Sequence, residues 1–463
     1  MAEQAVKGAA TLSAQLAGYW SAARYADLPA DVVRVAKGFF LDTVAAGVAG
    51  GRSEVVNNVA AGALAASGAG NVALWGRSDA APPAAAALVN GTAAHALELD
   101  DFGGCGHSGA VVIPAVWALA QGRAVSGRDV ILSIVAGYDL ASRLLDGAGG
   151  YRPHNERGWH STGTCGSFGA AAGAARLLKL PADQYTHALG IAGTFTGGVW
   201  AFLTDGALVK RFHPGKAAET GVSAALLAQS GLTGPGHILE AEWGGFYPTY
   251  AKGDATPELA VAGLGRDFHI LRSGIKPHAC CRTLHSAVDA ALQIMREHPE
   301  GSGAIRKMVV HGNAQTRRQF SRVEIHNLLE AQFSAPYCVA VAAQSGRCTL
   351  DQFQPLRTGD PEIQRLMALT EIHADRVLTP ADYPSLEIVF ADGSQRVLDI
   401  PHAKGAPENP LTEQELVQKA QVLLEPVVGR QAADRFIALA LSLEHADDFA
   451  CVARTLTPAA ERH

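Results

Sequence analysis

The stretch PPAAAALVNGTAAHALELDDFGGCGHSG, Pro82 to Gly109, decides how this chain is read. Its first half is small and apolar almost without interruption. Pro82 suits a first helical turn, and Ser78 or Asp79 is a candidate cap before it. The pattern predicts one helix that runs on through Asp101. The second half, His95–Gly109, holds one Glu, two Asp and two His in fifteen positions. Such side chains are costly to bury unless they are paired or used. A helix ending in carboxylates, then a glycine-rich loop, then His107, is a setting for proton transfer. The plainer alternative is an acidic helix end followed by a surface loop. On a helix, His95 and Glu98 share a face and can meet.

Outward from this stretch, other helices are predicted on both sides. Residues 11–26 and 53–68 are candidates. So is DVVRVAKGFFLDTVAAGVAG, where Val32, Val35, Ala36, Phe39, Phe40 and Val44 fall on one face and Asp31 is a candidate N-cap. Gly50-Gly51 stops it. Val111–Gln121 and Asp129–Leu145 follow, and more helices extend to about residue 230. In GWHSTGTCGSFGAAAGAARLLKL, glycines 163, 166, 169 and 173 recur every three or four residues. No strand precedes them, so the dinucleotide fingerprint lacks its context and a small-residue packing face is expected.

The style changes near residue 266. Arg306–His311 alternates, and Ser385–Phe390 with Gln395–Ile400 around Ala391-Asp392-Gly393 reads as a β-hairpin. Helical segments lie at 281–297 and 327–345, and residues 411–458 return to helix. The expected class is mainly α. A large all-helical domain built from both chain ends (1–266 plus 405–463) would carry an inserted smaller α+β lid domain (267–404).

At 463 residues, two domains are the expectation. Hydrophobic residues at 48% and charged residues at 18% describe an ordinary globular protein, not a disordered one. A net charge of −6 with no basic stripe excludes nucleic acid as an expected partner. The seven cysteines are irregularly spaced, which is not a disulfide framework. With no signal peptide and no apolar run of membrane-spanning length, a cytoplasmic protein without a membrane partner is expected.

Three further segments concentrate polar groups. Gly158–Thr162 sets His160 before the glycine-rich helix. Leu208–Ala218 holds Lys210, Arg211, His213 and Lys216, which suit anionic carboxylates; a solvated cationic face is the alternative. Lys276–His285 offers His278, Cys280, Cys281 and His285, but adjacent cysteines do not easily ligate one metal and no CxxC pair occurs, so no metal is expected. Lys276 and Arg282 are candidate carboxylate binders on local chemistry. Histidines, carboxylates and cations without a cofactor motif fit proton abstraction beside a carboxylate, with the cations stabilising the charge that builds there. Hydrolases could use the same residue types.

These segments, with VAKGFFLDTVAAGVAG, HALELDD…HSGAVVIPA, ALGIAG, LVKRFHPGKAAETGVSAALLA, KPHACCRTLHSAVDAAL and AQFSAPYCVAVA, resemble the MmgE/PrpD superfamily over nearly the whole chain. That superfamily includes 2-methylcitrate dehydratase, cis-aconitate decarboxylase and iminodisuccinate epimerase. The resemblance implies a homodimer acting on small di- or tricarboxylates without metal or organic cofactor. It places His160, Lys210 and His285 on the family's site positions. His107 matches by its H-x-G context, and Tyr337, in FSAPY, matches a lid-domain tyrosine. The family motif HALDFDDT is altered here: Glu98 and Phe102 stand for its first Asp and its Thr. Glu keeps the carboxylate one methylene further out. Phe shrinks and dries the substrate pocket at one point, which weakens the case for cis-aconitate decarboxylation and for true methylcitrate dehydration.

Three functions are therefore weighed. The first is a cofactor-independent lyase of the dehydratase/hydratase kind. There, His160 or His107 would be base or acid, Lys210 and His285 would hold carboxylate, and Tyr337 would donate a proton. The second is an epimerase of a dicarboxylate such as iminodisuccinate. The third is a binding protein that keeps the fold without the chemistry.

Overall fold

The computed structural model describes residues 10–456 apart from 205, 299, 380 and 381. The chain forms two compact units, one from Met1–Ser273 with Gln414–His463, the other from Gly274–Glu413. Helices dominate, as the mainly-α reading expects.

In the first unit, small residues decide which helices meet. Ser161–Leu177 packs against both Gly127–Gly147 and Phe212–Gln229, and Phe212–Gln229 packs in turn against Pro83–His95. A Cβ on Gly169 would lie 2.7 Å from the Gly137 carbonyl, and one on Gly137 would lie 2.7 Å from the Gly169 carbonyl. Gly173 meets the Ser133 carbonyl the same way, at 3.0 Å. The glycine repeat is thus a surface where backbones touch, as close packing of helix axes requires.

Both ends of the chain enter this core. Phe40 and Trp117 pack with Phe436 and Phe449 from the C-terminal part. Lys37 Nζ donates to the Leu441 carbonyl at 2.7 Å and pairs with Glu444 at 2.7 Å. Lys419, on the helix Glu413–Val428, pairs with buried Asp42 at 2.5 Å and donates to the Leu99 carbonyl at 2.6 Å. That second bond fastens the stretch on which the sequence reading turned.

Several boundaries differ from expectation. Pro29, not Asp31, is the N-cap of Ala30–Gly50. Ser78 and Asp79 cap no helix. The segment there forms a two-residue antiparallel ladder, Val72–Ala73 with Ala80–Ala81, a small exception to an all-helical unit. Pro82 is the cap, and the helix begins at Pro83. That helix stops at His95 rather than Asp101, because Glu98 takes φ +55° and the Asp100 carboxylate folds back onto His95. Among the described residues, no helix is long and apolar enough to cross a membrane.

The second unit is built on a four-stranded sheet in the order Thr370–His373, Ile305–His311, Ser385–Phe390, Gln395–Leu398. The expected hairpin is present, with Val389 opposite Gln395 and Leu386 opposite Leu398. Thr370–His373, too short and polar to announce itself, pairs parallel to Ile305–His311. Met308, Val310, Leu386, Ile388 and Phe390 are buried. Lys307, His311, Glu371, His373 and Glu387 are half-buried or exposed. The helical segment 327–345 breaks at Phe333-Ser334, where Ser334 caps Ala335–Ser345 by accepting from the Tyr337 N–H.

Candidate active site

The helix Pro83–His95 delivers His95, fully buried, to a turn made of its own next five residues. The His95 Nδ1–H donates to the Asp100 carboxylate at 2.9 Å. Burial pushes this imidazole down to about 4 against the pull of Asp100, so it is neutral at pH 7. Asp100 also lies 3.0 Å from Nδ1 of His107, which donates to the Asp101 carbonyl at 2.9 Å. The two rings sit 4.2 Å apart. With Nδ1 carrying the proton, Nε2 of His107 keeps its lone pair. The Asp101 carboxylate accepts from the Gly109 N–H at 3.0 Å and so caps the helix Gly109–Ala120. Burial and neighbouring Asp100 push the Asp101 carboxyl well upward. His95 and Asp101 therefore hold the turn.

Glu98 is buried, and its left-handed backbone is unusual for a residue with a side chain. Its carboxylate is ion-paired with the Lys210 ammonium, itself largely buried. His95, Glu98 and His107 have ligand atoms within 4.8 Å of one another, close enough for an ion; the ammonium already brings a positive charge to Glu98. The glycine loop that follows lies against the start of the helix Ser161–Leu177. Gly106 has φ +121°, and a Cβ there would lie 2.5 Å from Thr162 Oγ1.

His160 occupies the N-cap position of Ser161–Leu177 without capping it. Instead its Nδ1 lies 2.9 Å from Nδ1 of His213. Two such atoms can share only one proton, so one ring donates and the other accepts. The donor ring keeps a lone pair on Nε2, and the acceptor ring carries its proton there. Burial, with His213, Lys210 and His107 nearby, holds His160 well below its ordinary value. Burial and Lys210 hold His213 at about 4. Trp200 and Phe202 wall the pair, with ring centres 4.8 and 6.5 Å from His160. The His107 ring is 6.5 Å away. The Ser161 and Thr162 hydroxyls are buried and hydrogen-bond to nothing among the described residues. They sit at the positive end of a seventeen-residue helix, where an anion is favoured.

Within this unit the structure thus gathers Glu98, His107, His160 and Lys210. Phe102 lies half-buried just after Asp101. His213 was named in sequence only as one member of the Leu208–Ala218 segment, and Ser161 and Thr162 were not singled out. Their only signal was membership of the two polar segments, since His160 and His213 stand 53 positions apart.

The remaining candidates lie in the second unit. Lys276 is buried. The His285 ring is 5.0 Å from that of His278, with Nε2 at 3.2 Å from the Cys280 carbonyl, and burial lowers it to about 4. His278 pairs with Asp289 at 2.7 Å. The Arg282 guanidinium lies over the Tyr383 ring at 5.0 Å. Tyr337 departs from its expected role. Its hydroxyl donates to the Gln352 carbonyl at 2.6 Å and accepts from the Arg357 N–H at 2.9 Å, so it pins a loop rather than presenting a proton.

Comparison with known proteins identifies the family. The chain matches the MmgE/PrpD N-terminal domain over residues 14–258 and the MmgE/PrpD C-terminal domain over residues 278–445. It is 30% identical to a cis-aconitate decarboxylase of Aspergillus terreus, over 91% of each chain. It is 29% identical to a cis-aconitate decarboxylase-like protein of Aspergillus oryzae, over 94% of this chain and 95% of that one. The Homo sapiens cis-aconitate decarboxylase is 27% identical, over 90% of this chain and 88% of its own length. These relatives carry the name cis-aconitate decarboxylase or decarboxylase-like, and both family domains match along the chain: the protein belongs to the MmgE/PrpD family.

Proposed function

We propose that this protein is a lyase for a small di- or tricarboxylate that works by moving a proton at carbon, with its own side chains as acid and base. The observation that carries the reading is the Nδ1–Nδ1 contact of His160 and His213. It gives two neutral imidazoles with unlike Nε2 atoms, one able to take a proton and one able to give it. The Ser161 and Thr162 hydroxyls and the first turn of Ser161–Leu177 supply positive potential for substrate carboxylates, beside the Lys210 ammonium, whose charge Glu98 partly offsets. Losing CO2 or water beside a carboxylate builds charge on that group, and a fixed cation in a dry site stabilises it best.

The names of the relatives make decarboxylation of a cis-aconitate-like acid the first reaction to test. A second reading is loss of water from a related polycarboxylate; Glu98 and Phe102, standing where the family motif has Asp and Thr, favour an acid other than cis-aconitate or methylcitrate itself. Epimerisation of an iminodisuccinate-like acid is distinguished by the same experiment. The full-length protein is incubated in deuterated water with cis-aconitate, citrate, 2-methylcitrate and iminodisuccinate and followed by NMR. The expected result is a decarboxylated product carrying solvent deuterium at carbon, or a dehydrated product that has lost a C–H proton together with water. Exchange into recovered substrate without net loss would instead indicate an epimerase. No product and no exchange across the panel would reject all of these readings.

A further inference from the structure

The open face of the sheet in the second unit carries a second cluster of imidazoles, unrelated to the chemistry above. His311 ends the strand Ile305–His311, and its partner in the parallel register is His373. Their rings are 5.7 Å apart and nearly perpendicular. Asp375 lies two residues beyond. One of its carboxylate oxygens is 2.7 Å from His311 Nδ1 and 4.0 Å from His373 Nδ1.

The outer nitrogens show what this arrangement suits. His311 Nε2 lies 3.0 Å from a Glu387 carboxylate oxygen. His373 Nε2 lies 2.7 Å from one of Glu371. Each ring thus gives its Nε2 proton to a carboxylate and turns Nδ1 toward the same Asp375 oxygen. A carboxylate behind each imidazole, fixing its tautomer and raising its basicity, is the usual outer arrangement of a metal-binding histidine. From this we propose that His311 Nδ1, His373 Nδ1 and the Asp375 carboxylate bind a first-row divalent cation of the zinc type.

Several observations agree. Ligand atoms of the three residues lie within 4.8 Å of one another. The 2.7 and 4.0 Å separations bracket the roughly 3.3 Å expected between two ligands of a tetrahedral zinc ion. Imidazole nitrogens select zinc, copper or nickel over magnesium and calcium. Three carboxylates, Glu371, Asp375 and Glu387, face the cluster, and Lys307 pairs with Glu371. His373 and Asp375 are partly exposed, so an ion can enter. On binding, the ion takes the place of the proton that His311 Nδ1 shares with Asp375, and that proton leaves to solvent. Bound metal would fasten the chain after His373 to the strand end. Backbone bonds already join these segments, Gly312 N–H to the His373 carbonyl and Arg376 N–H to the Gly312 carbonyl, each at 2.9 Å.

The test is calorimetric titration of Zn2+ into the chelator-treated full-length protein, beside His373→Ala and Asp375→Asn. Circular dichroism would check that both variants are folded. One binding event is expected, weakened at least tenfold by either substitution, with Glu371→Gln weakening it by about tenfold through the outer arrangement alone. Two results would overturn the site. One is no zinc binding. The other is binding that either His373→Ala or Asp375→Asn leaves unchanged, which would place the ion elsewhere, such as at His95, Glu98 and His107.

Discussion

Because His160 and His213 share a single proton between their Nδ1 atoms, each ring's tautomer is the complement of the other's. Removing one ring therefore frees the other to carry its Nδ1 proton anywhere, and the unlike pair is lost. His213→Phe should lower kcat on the substrate found in the panel by about a hundredfold, within the usual range for a positioned acid or base. His213→Asn, which can still hydrogen-bond to Nδ1, should restore part of that loss. A merely structural His213 would instead lower the melting temperature of both variants and leave kcat alike. Residues of this kind were unevenly legible in the sequence. Glu98, His107, His160 and Lys210 stood out because charged and imidazole groups beside small residues are costly without a use, and because the family resemblance set His160 and Lys210 on site positions. His213 did not, because its meaning comes from a ring 53 positions away. Tyr337 misled for a related reason, since nothing local shows that backbone groups of residues 352 and 357 already engage its hydroxyl.

Helices meet where glycine lets them. The reciprocal contact of Gly137 and Gly169 leaves no room for a side chain on either. Gly169→Val should cost about 1–3 kcal/mol of stability by overpacking, read from denaturant unfolding. It should do so without changing KM, because the contact lies along the helix rather than at its first turn. At this scale the sequence was most readable: apolar periodicity marked the helices, and Ala391-Asp392-Gly393 marked the hairpin. Errors gathered at ends. The run of small residues after Pro82 reads as helix through Asp101, yet the left-handed Glu98 and the Asp100–His95 bond close a turn that periodicity does not encode. The strand Thr370–His373 has only four residues and gains its place from the parallel partner beside it.

The buried histidines also set how the whole molecule answers to pH. Burial lowers His95 and His285 from 6.5 in the open chain to about 4 in the folded one. Between those values the unfolded chain takes up protons that the native state refuses. Their contribution to stability is complete above about pH 6.5 and is lost as the pH falls toward 4, at about 1.4 kcal/mol per pH unit for each ring. Asp101, pushed upward, acts in the opposite sense. His154, His160, His213 and His269, all lowered, act with His95 and His285. Melting temperatures measured from pH 7.5 down to 4.5 should stay level above pH 7 and fall steadily below 6.

The clasp at Lys419 has a consequence in time. Its bond to the Leu99 carbonyl joins residues 320 positions apart. At about 5–20 residues per second of synthesis, the turn bearing Glu98 and His107 leaves the ribosome roughly 15–60 seconds before the lysine that fastens it. Until then Asp42 waits in the nascent helix without that ammonium. The part of the chain that carries the candidate site is made first and fastened last.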